Sequence, residues 1–300
     1  MTPFVSTTRI LGLAFVVTLP ACAGRDEAPR QDASNAAPSI VELSIANNTV
    51  QAPDSIDAGW TTFHFANNGD DIHYAHIVRL DSARTPAELV AAYADAIRRS
   101  AARPAWVKRF GGPGGMAPGD TAVVTQHLEP GSYVWICPVE DNEGNPHFGK
   151  GEYKPFVIRE AATASKGTAP TATATIQLVD FGFGLDAPLT AGRHTIRVEN
   201  AGTEPHDVGL LKLAPGRTLE EVRAFLNPER ARRPDQADNQ PPPFDALGGV
   251  AGGIAAMAPG MEGFFEADLT PGDYVLACMV TAPDGRSHIE HGMIQHVRIQ

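Results

Sequence analysis

Histidine and cysteine recur with the same spacing in the two halves of this chain, which has 300 residues and only three cysteines. In each half a histidine precedes a cysteine, and nine residues separate that cysteine from a second histidine. A thiolate and two imidazoles can ligate a metal ion of soft or borderline character. The two sets are His73, Cys137 and His147, and His206, Cys278 and His288.

These sets belong to an internal duplication. An offset of 133 residues (73 to 206) matches Asn, Gly and His around the first histidines, and an offset of 141 (137 to 278) matches the later motifs. The second copy is therefore longer by eight residues, which we place in the polar stretch 227–243. The matched segments are 67–73 with 200–206, 116–119 with 257–260, and 130–137 with 271–278.

The duplication divides the chain into two domains of ordinary size. The first copy spans residues 39–159 and the second spans 175–300. Residues 160–174 are rich in Ala, Thr, Ser, Gly and Pro, a composition typical of a flexible linker. Because Cys137 and Cys278 hold equivalent places in separate domains, we expect no disulfide between them.

Short apolar or β-branched runs between Gly, Pro and Asn turns dominate each copy. In the first copy they lie at 62–65, 77–80, 122–124 and 133–136. Runs of this length and composition are typical of strands. Many short strands punctuated by turns predict a β-sandwich, so the expected fold class is all-β.

One helix is predicted to interrupt each copy. Thr85 precedes Pro86, and Glu88 stands three residues after that threonine, which is the pattern of a capped helix start with proline at the first helical position. Thr218 and Glu221 repeat the capping pattern in the second copy. We expect each helix to pack on its sandwich as a crossover.

The segment from Gly272 to Met293 resembles the ligand region of the cupredoxins, the blue-copper family, and residues 200–206 resemble the turn that presents the first histidine in that family. The resemblance implies two tandem cupredoxin-like Greek-key β-sandwiches, each with one inserted helix. It also implies a copper ion in the second copy, with a long thioether contact that tunes the reduction potential. The implied ligands are His206, Cys278 and His288, with Met293 as the weak axial ligand.

The second copy departs from the cupredoxin pattern in one respect, because two to four residues usually separate the cysteine from the second histidine in that family. The nine residues here include Pro283-Asp284-Gly285, and those of the first copy include Asn142-Glu143-Gly144. Such turn residues predict a hairpin that returns the second histidine to the cysteine. We expect His288 to be the more exposed of the two histidine ligands.

The first copy departs further, since Glu152 replaces the axial methionine and Lys150 replaces His291. It is the weaker candidate for a metal, with His73, Cys137, His147 and Glu152 as candidate ligands. A harder ion held by His73, His76, His147 and Glu152 is an alternative.

Two classes of function remain open. The first is copper binding in the second copy, for electron transfer or copper handling with a redox or copper-donor protein as partner. The second is a metal-free scaffold or a lipoprotein that binds a ligand or a protein partner. No His-x-His pair is present to form the trinuclear centre of multicopper oxidases, so we expect no enzymatic activity. A net charge of −11 argues against a nucleic-acid partner.

The first 22 residues have the features of a lipoprotein signal peptide. Residues 10–19 form an apolar run too short to span a bilayer, and Leu19-Pro20-Ala21-Cys22 resembles the lipobox of bacterial lipoproteins. Residues 23–38 form a polar tether. We expect a lipid on Cys22 that anchors the protein in the cell envelope, at the outer membrane facing the periplasm because no aspartate follows Cys22. An ordinary signal peptide that leaves a stray thiol is the alternative.

Overall fold

The computed structural model describes residues 1–3, 36–80, 83–99, 101, 103–141, 143–161, 167–226 and 244–300. The predicted lipidation site Cys22 and the predicted insertion at 227–243 lie outside these residues. Residues Ala33–Gln300 form one compact unit. Within the described ranges, no helix has both the length and the apolar character of a bilayer-spanning segment.

Strands account for most of the regular structure in both copies. The elements of the first copy are β1 (Ser39–Ala46), β2 (Thr49–Gln51), β3 (Ser55–Asp57), β4 (Gly59–Asn67), β5 (His76–Arg79), α1 (Pro86–Arg98), β6 (Lys108–Arg109), β7 (Thr121–Leu128), β8 (Gly131–Ile136), a 3-10 helix (His147–Lys150) and β9 (Tyr153–Arg159). Those of the second copy are β10 (Ala174–Val179), β11 (Gly182–Leu185), β12 (Gly192–Asn200), β13 (His206–Leu213), α2 (Leu219–Phe225), α3 (Phe244–Leu247), β14 (Gly248–Met257), β15 (Glu262–Leu269), β16 (Gly272–Ala277) and β17 (Ile294–Ile299).

Each copy is a sandwich of two sheets, and equivalent strands hold the same places in both copies. The first sheet runs β2-β1-β4-β7 in the first copy and β11-β10-β12-β15 in the second. The second sheet runs β3-β9-β8-β5-β6 in the first copy and β17-β16-β13-β14 in the second. β1 pairs with β4, and β10 with β12, in parallel. The chain crosses between sheets from β4 to β5 and from β12 to β13, which confirms the predicted all-β class with two tandem Greek-key β-sandwiches.

The sandwiches pack around aromatic and aliphatic side chains that alternate along the strands. β4 buries every second residue, as its pattern of apolar positions predicts. In the first core Trp135 stacks on Phe156 with ring centroids 4.7 Å apart and meets Phe63 edge-on at 5.2 Å. In the second core Phe265 and Tyr274 are buried among Ile, Val and Leu side chains. Removal of these side chains from water is the main stabilising term in each copy.

Both predicted helices are present and begin where the capping pattern places them. The Thr85 hydroxyl accepts from Glu88 N at 3.2 Å, and the Glu88 carboxylate accepts from Thr85 N at 2.7 Å. Thr218 and Glu221 form the same reciprocal pair at the start of α2. Each box satisfies two backbone donors that a helix start leaves free.

The two copies share one continuous sheet, because β15 pairs antiparallel with β7 and joins the two first sheets into eight strands. Phe265 pairs with Val124 in this junction. The two residues are 141 positions apart (124 to 265), which is the offset of the duplication in this region. Equivalent residues of the two copies therefore face each other at the last of the three paired positions of this junction.

Two glycine-rich segments, 111–115 and 248–253, contribute to the same interface. Ala255 N donates to Gly112 O at 2.9 Å. A Cβ on Gly114 would lie 3.0 Å from the carbonyl carbon of Gly253. Backbones that approach this closely leave no room for side chains, which explains the glycines.

Replacement of Phe265 by Ala should lower the free energy of unfolding by about 3–5 kcal/mol, because it empties a fully buried position at the junction strand. The exposed neighbour Glu266 supplies the matched control, since Glu266→Ala should change stability by no more than about 0.5 kcal/mol. Urea unfolding followed by circular dichroism measures both. Equal destabilisation by the two substitutions would contradict the packing described.

Candidate metal centre

A buried asparagine fixes the turn that presents the first histidine of each set. In the second copy Asn200 Nδ2 donates to Glu204 O and to Met257 O, each at 2.9 Å, and Asn200 Oδ1 accepts from Gly202 N at 3.0 Å. Asn67 makes the same three bonds in the first copy. The asparagine thus ties the end of one sheet to the start of the next, where the histidine follows.

The predicted hairpin returns the second histidine to the cysteine. Cys278 follows β16, and the chain then turns back through Gly285, whose φ of 87° is left-handed. His288 N donates to Val280 O at 2.8 Å, and residues 281 and 287 form an antiparallel bridge. The first copy forms the equivalent hairpin. The nine-residue spacing is therefore compatible with convergence of the donors.

The three donor atoms of the second copy meet at one buried point, the second site. Nδ1 of His206 lies 2.9 Å from Nδ1 of His288, and Cys278 Sγ lies 4.0 and 3.4 Å from those two nitrogens. All three side chains are fully buried. Donors bound to one ion at roughly 2.0–2.3 Å stand about 3.3–3.6 Å apart. The set is thus close to the geometry of a shared metal ion.

Two carboxylates fix the tautomers of these imidazoles. His206 Nε2 donates to Asp180 Oδ1 at 2.9 Å, and His288 Nε2 donates to Glu204 Oε2 at 3.1 Å, since a carboxylate oxygen can only accept. Each neutral ring then carries a lone pair on Nδ1. Two lone pairs face each other across 2.9 Å, an arrangement that a cation between them converts from repulsion into two bonds.

Burial disfavours the charged forms of Cys278 and His288. It raises the pKa of the Cys278 thiol well above its ordinary value, with a further contribution from the Asp207 carboxyl. Burial and the adjacent His206 lower the pKa of His288 to about 3. The backbone N–H of Asp207 points at Cys278 Sγ at 3.5 Å, which favours the thiolate. A bound metal cation is the partner that would complete this stabilisation.

Met293 is fully buried, and its main chain lies beside the donors. Its carbonyl accepts from Cys278 N at 3.1 Å, and its N–H donates to His288 O at 2.8 Å. Glu152 has the equivalent place in the first copy, where its carbonyl accepts from Cys137 N at 3.2 Å. The thioether and the carboxyl therefore start from equivalent backbone positions.

Four donors converge in the first copy and define the first site. Nδ1 of His73 lies 3.3 Å from Nδ1 of His147, and Cys137 Sγ lies 3.8 and 3.6 Å from them. Glu152 places Oε1 2.8 Å from His73 Nδ1 and Oε2 3.7 Å from His147 Nδ1. One ligand atom from each of the four residues lies within 4.8 Å of the others.

Cys137, and not His76, completes this set. His76 is buried where the copies meet, and its Nε2 donates to Ala256 O at 3.2 Å. Lys150, which replaces His291, is exposed and pairs with Asp141 and not with the donors of the first site. Both Cys137 and the cysteine of the second site are free thiols, as expected.

The expectation that His288 is the more exposed ligand is wrong, because both histidines of the second site are 0 % exposed. The tip of the β10–β11 hairpin covers them. Phe181, at a φ of 65°, meets the His288 ring edge-on at 5.3 Å, and Asp180 beside it holds the other histidine. Asn47 and Asn48 stand at the equivalent tip of the first copy.

The carboxylates Asp71, Asp180 and Glu204 were missed by the sequence analysis. Asp71 Oδ2 lies 3.7 Å from His147 Nε2, as Glu204 lies against the second histidine of its own copy. Both acids stand two residues before the first histidine, so comparison of the copies offered a signal. Asp180 offered none, because asparagine stands at its equivalent position.

The fold of each copy is cupredoxin-like, by strand order, parallel first pair and position of the His and Cys donors. Among solved structures the chain is similar to auracyanin A, a "blue" copper protein from Chloroflexus aurantiacus, with 20 % identity over 41 % of this chain and 99 % of that chain at a TM-score of 0.30. It is similar to a multicopper oxidase with 11 % identity over 87 % of this chain and 88 % of that chain, at a TM-score of 0.21. It is also similar to a Cu-containing nitrite reductase from Thermus scotoductus, with 12 % identity over 87 % and 61 % at 0.22.

No protein-family model matches the chain, and no curated protein matches it in sequence. The structural comparison corrects the expectation that the chain lacks enzymatic activity, since the similar structures include an oxidase and a reductase.

The donor sets of both sites fit a metal ion, and the second site can hold copper. Thiolate and imidazole suit copper in both oxidation states. The two Nδ1 atoms of the second site, 2.9 Å apart, are close enough to bind one cation together.

Gly202→Ala should weaken Cu(I) binding at the second site by about 10- to 100-fold. The added Cβ would lie 2.5 Å from Asp180 Oδ1 and 2.7 Å from His206 Nε2, which would separate the carboxylate from the imidazole. Competition with a chromophoric Cu(I) chelator measures the change. Gly249→Ala is the matched control, since a Cβ there meets nothing within 4 Å. Equal affinities in the two variants would argue against a role for Asp180.

Proposed function

We propose that the second copy binds copper and that the protein transfers electrons at the cell envelope. His206, Cys278 and His288 are the proposed strong ligands, and Met293 is the proposed weak axial ligand. The observation that carries the proposal is the pair of Nδ1 atoms that face each other at 2.9 Å beside a buried cysteine. With both outer nitrogens bound to carboxylates, the two Nδ1 atoms are left for a shared cation.

Complete burial of the donors favours electron transfer over copper handling. Delivery or capture of an ion requires ligands that an incoming partner can reach, whereas all three donors here are 0 % exposed. A site enclosed by Phe181 and held by Asp180 and Glu204 keeps its geometry when the charge of the ion changes. Electron transfer uses such a rigid site.

A short route leads from the proposed copper ligand to the surface. Met279 follows Cys278 directly and is 40 % exposed, so one peptide link joins the buried thiolate to solvent. Met279 N donates to Asp207 Oδ1 at 2.7 Å, which fixes this link. The proposed partner is a redox protein that docks over Met279.

Copper titration of the full-length protein tests the proposal, with Cys137→Ser and the double variant Cys137→Ser/Cys278→Ser as a matched pair. The protein should bind Cu(II) with a thiolate-to-copper absorption band that is bleached by reductant and restored by oxidant. Cys137→Ser should retain this band, and adding Cys278→Ser to it should abolish the band, because the Cys278 thiolate is then the only thiolate that can give rise to the transition.

A different result would support the metal-free alternative. If neither Cu(I) nor Cu(II) binds with an affinity that depends on Cys278, the second copy is a scaffold or binding domain. The full chain is the appropriate sample because β7 and β15 join the two copies in one sheet.

We also propose that a lipid on Cys22 anchors the protein to the outer membrane, facing the periplasm. The support is the lipobox-like Leu19-Pro20-Ala21-Cys22 and the polar stretch 23–38 that follows it. Such a tether would leave the cupredoxin-like domains free to meet a partner.

Cys22→Ser should release the protein from the membrane fraction into the soluble fraction of the envelope, because the lipid supplies the anchoring apolar contact. Cell fractionation and labelling with a radioactive fatty acid measure this. The Cys278→Ser protein is the control, and it should stay labelled and membrane-bound. Labelling that survives Cys22→Ser would refute the anchor.

A further inference from the structure

Glu152 has an unsatisfied oxygen inside the protein. The side chain is 0 % exposed, and Oε2 is buried with no hydrogen-bond partner. Oε1 is hydrogen-bonded to His73 Nδ1 at 2.8 Å. An unpaired carboxyl oxygen in the interior costs free energy that a bound cation would recover. The free oxygen is 3.7 Å from His147 Nδ1, on the side where the other donors of the first site converge.

No basic side chain of the described residues other than histidine pairs with Glu152, whose ion pairs are with His73 and His147. Lys150, two positions away, is turned to Asp141 at the surface. The carboxyl group of Glu152 is therefore available as a ligand in the first site. In the second copy Met293 stands at the equivalent position, so the difference between the sites is one anionic donor.

The count of anionic donors sets which ion leaves each buried site neutral. With both groups ionised, Cys137 and Glu152 give the first site two negative charges, which a divalent ion balances. Cys278 is the one anionic donor of the second site, and Cu(I) balances its charge. Asp180 and Glu204, which bind the outer nitrogens of the histidines, are 33 % and 24 % exposed and lie outside the buried donor set. Net charge is strongly unfavourable in a buried, weakly polarisable environment, so this balance governs selectivity.

Asp207 is not counted among the anionic donors of the second site, because it is not a ligand there. Its Oδ1 accepts from Met279 N at 2.7 Å, and the charge of Arg109 acts on it within the interface between the copies. It stands next to His206 in sequence but takes no place in the second donor set.

We propose that the first copy holds a second and different metal centre, in which His73, Cys137, His147 and Glu152 bind a divalent cation in preference to Cu(I). The chain then carries two centres with opposite preferences, a divalent centre in the first copy and a Cu(I)-stabilising centre in the second. The first centre does not depend on copper binding in the second copy.

Cobalt(II) titration of the full-length Cys278→Ser protein tests this proposal, because that background removes the thiolate of the second site. One equivalent of Co(II) should bind with a thiolate-to-cobalt charge-transfer band and with intense visible bands of a four-coordinate ion, and Zn(II) should displace it. Adding Cys137→Ser should abolish the charge-transfer band. Glu152→Gln, of the same shape, should weaken Co(II) binding by more than about tenfold, since even loss of an outer partner costs that much.

Glu152→Met supplies the selectivity measurement. In the Cys278→Ser background it should raise the ratio of Cu(I) to Co(II) affinity by more than about tenfold, since it gives the first site the donor set of the second. It should also raise the melting temperature of the metal-free protein, because it removes an unpaired buried oxygen. A purely structural role for Glu152 predicts the reverse, a lower melting temperature and an unchanged ratio.

Two results would overturn the proposal. One is the absence of any Cys137-dependent Co(II) band in a folded Cys278→Ser protein, and the other is equal Co(II) affinity with Glu and Gln at position 152. Copper binding in the Cys137→Ser protein is read separately, so failure of the first centre and failure of the second are distinguishable.

Discussion

The second site depends on one constraint, the hydrogen bond from the outer nitrogen of each imidazole to a carboxylate. These bonds leave both Nδ1 lone pairs directed inward, towards Cys278. Three loops must meet for this to happen, namely the β10–β11 tip with Asp180, the turn with Glu204, and the hairpin that ends at His288. Locally, the arrangement requires the hydrogen bonds of buried Asn200 and the lack of a side chain at Gly202.

The duplicated scaffold separates the position of a donor from its chemistry. The backbone carbonyls of Glu152 and Met293 accept equivalent hydrogen bonds from the N–H groups of Cys137 and Cys278. The side chain is a carboxyl in the first copy and a thioether in the second. The hairpin tips differ as well, with two asparagines over the first site and Asp180-Phe181 over the second. Charge and enclosure can therefore differ between the sites while the strands that position them stay the same.

Local patterns account for what the sequence predicted well. The helix starts at Thr85 and Thr218 are encoded within four residues, and the turn glycines allow the hairpins that return His147 and His288. Convergence of the donors was predicted because the repeat shows them twice. The junction of β7 with β15, the cover over His288 and the contact of Asp180 were not predictable, because they join segments far apart in sequence and leave no local pattern.

The junction at Val124 and Phe265 gives the chain the geometry of a twofold dimer whose subunits have been fused, since equivalent residues meet on what would be the axis. In a homodimer one gene encodes both subunits, so any substitution appears in both sites at once. Fusion removes that coupling. A glutamate can then occupy one site while its counterpart remains methionine, so the two sites differ in chemistry although equivalent strands position them.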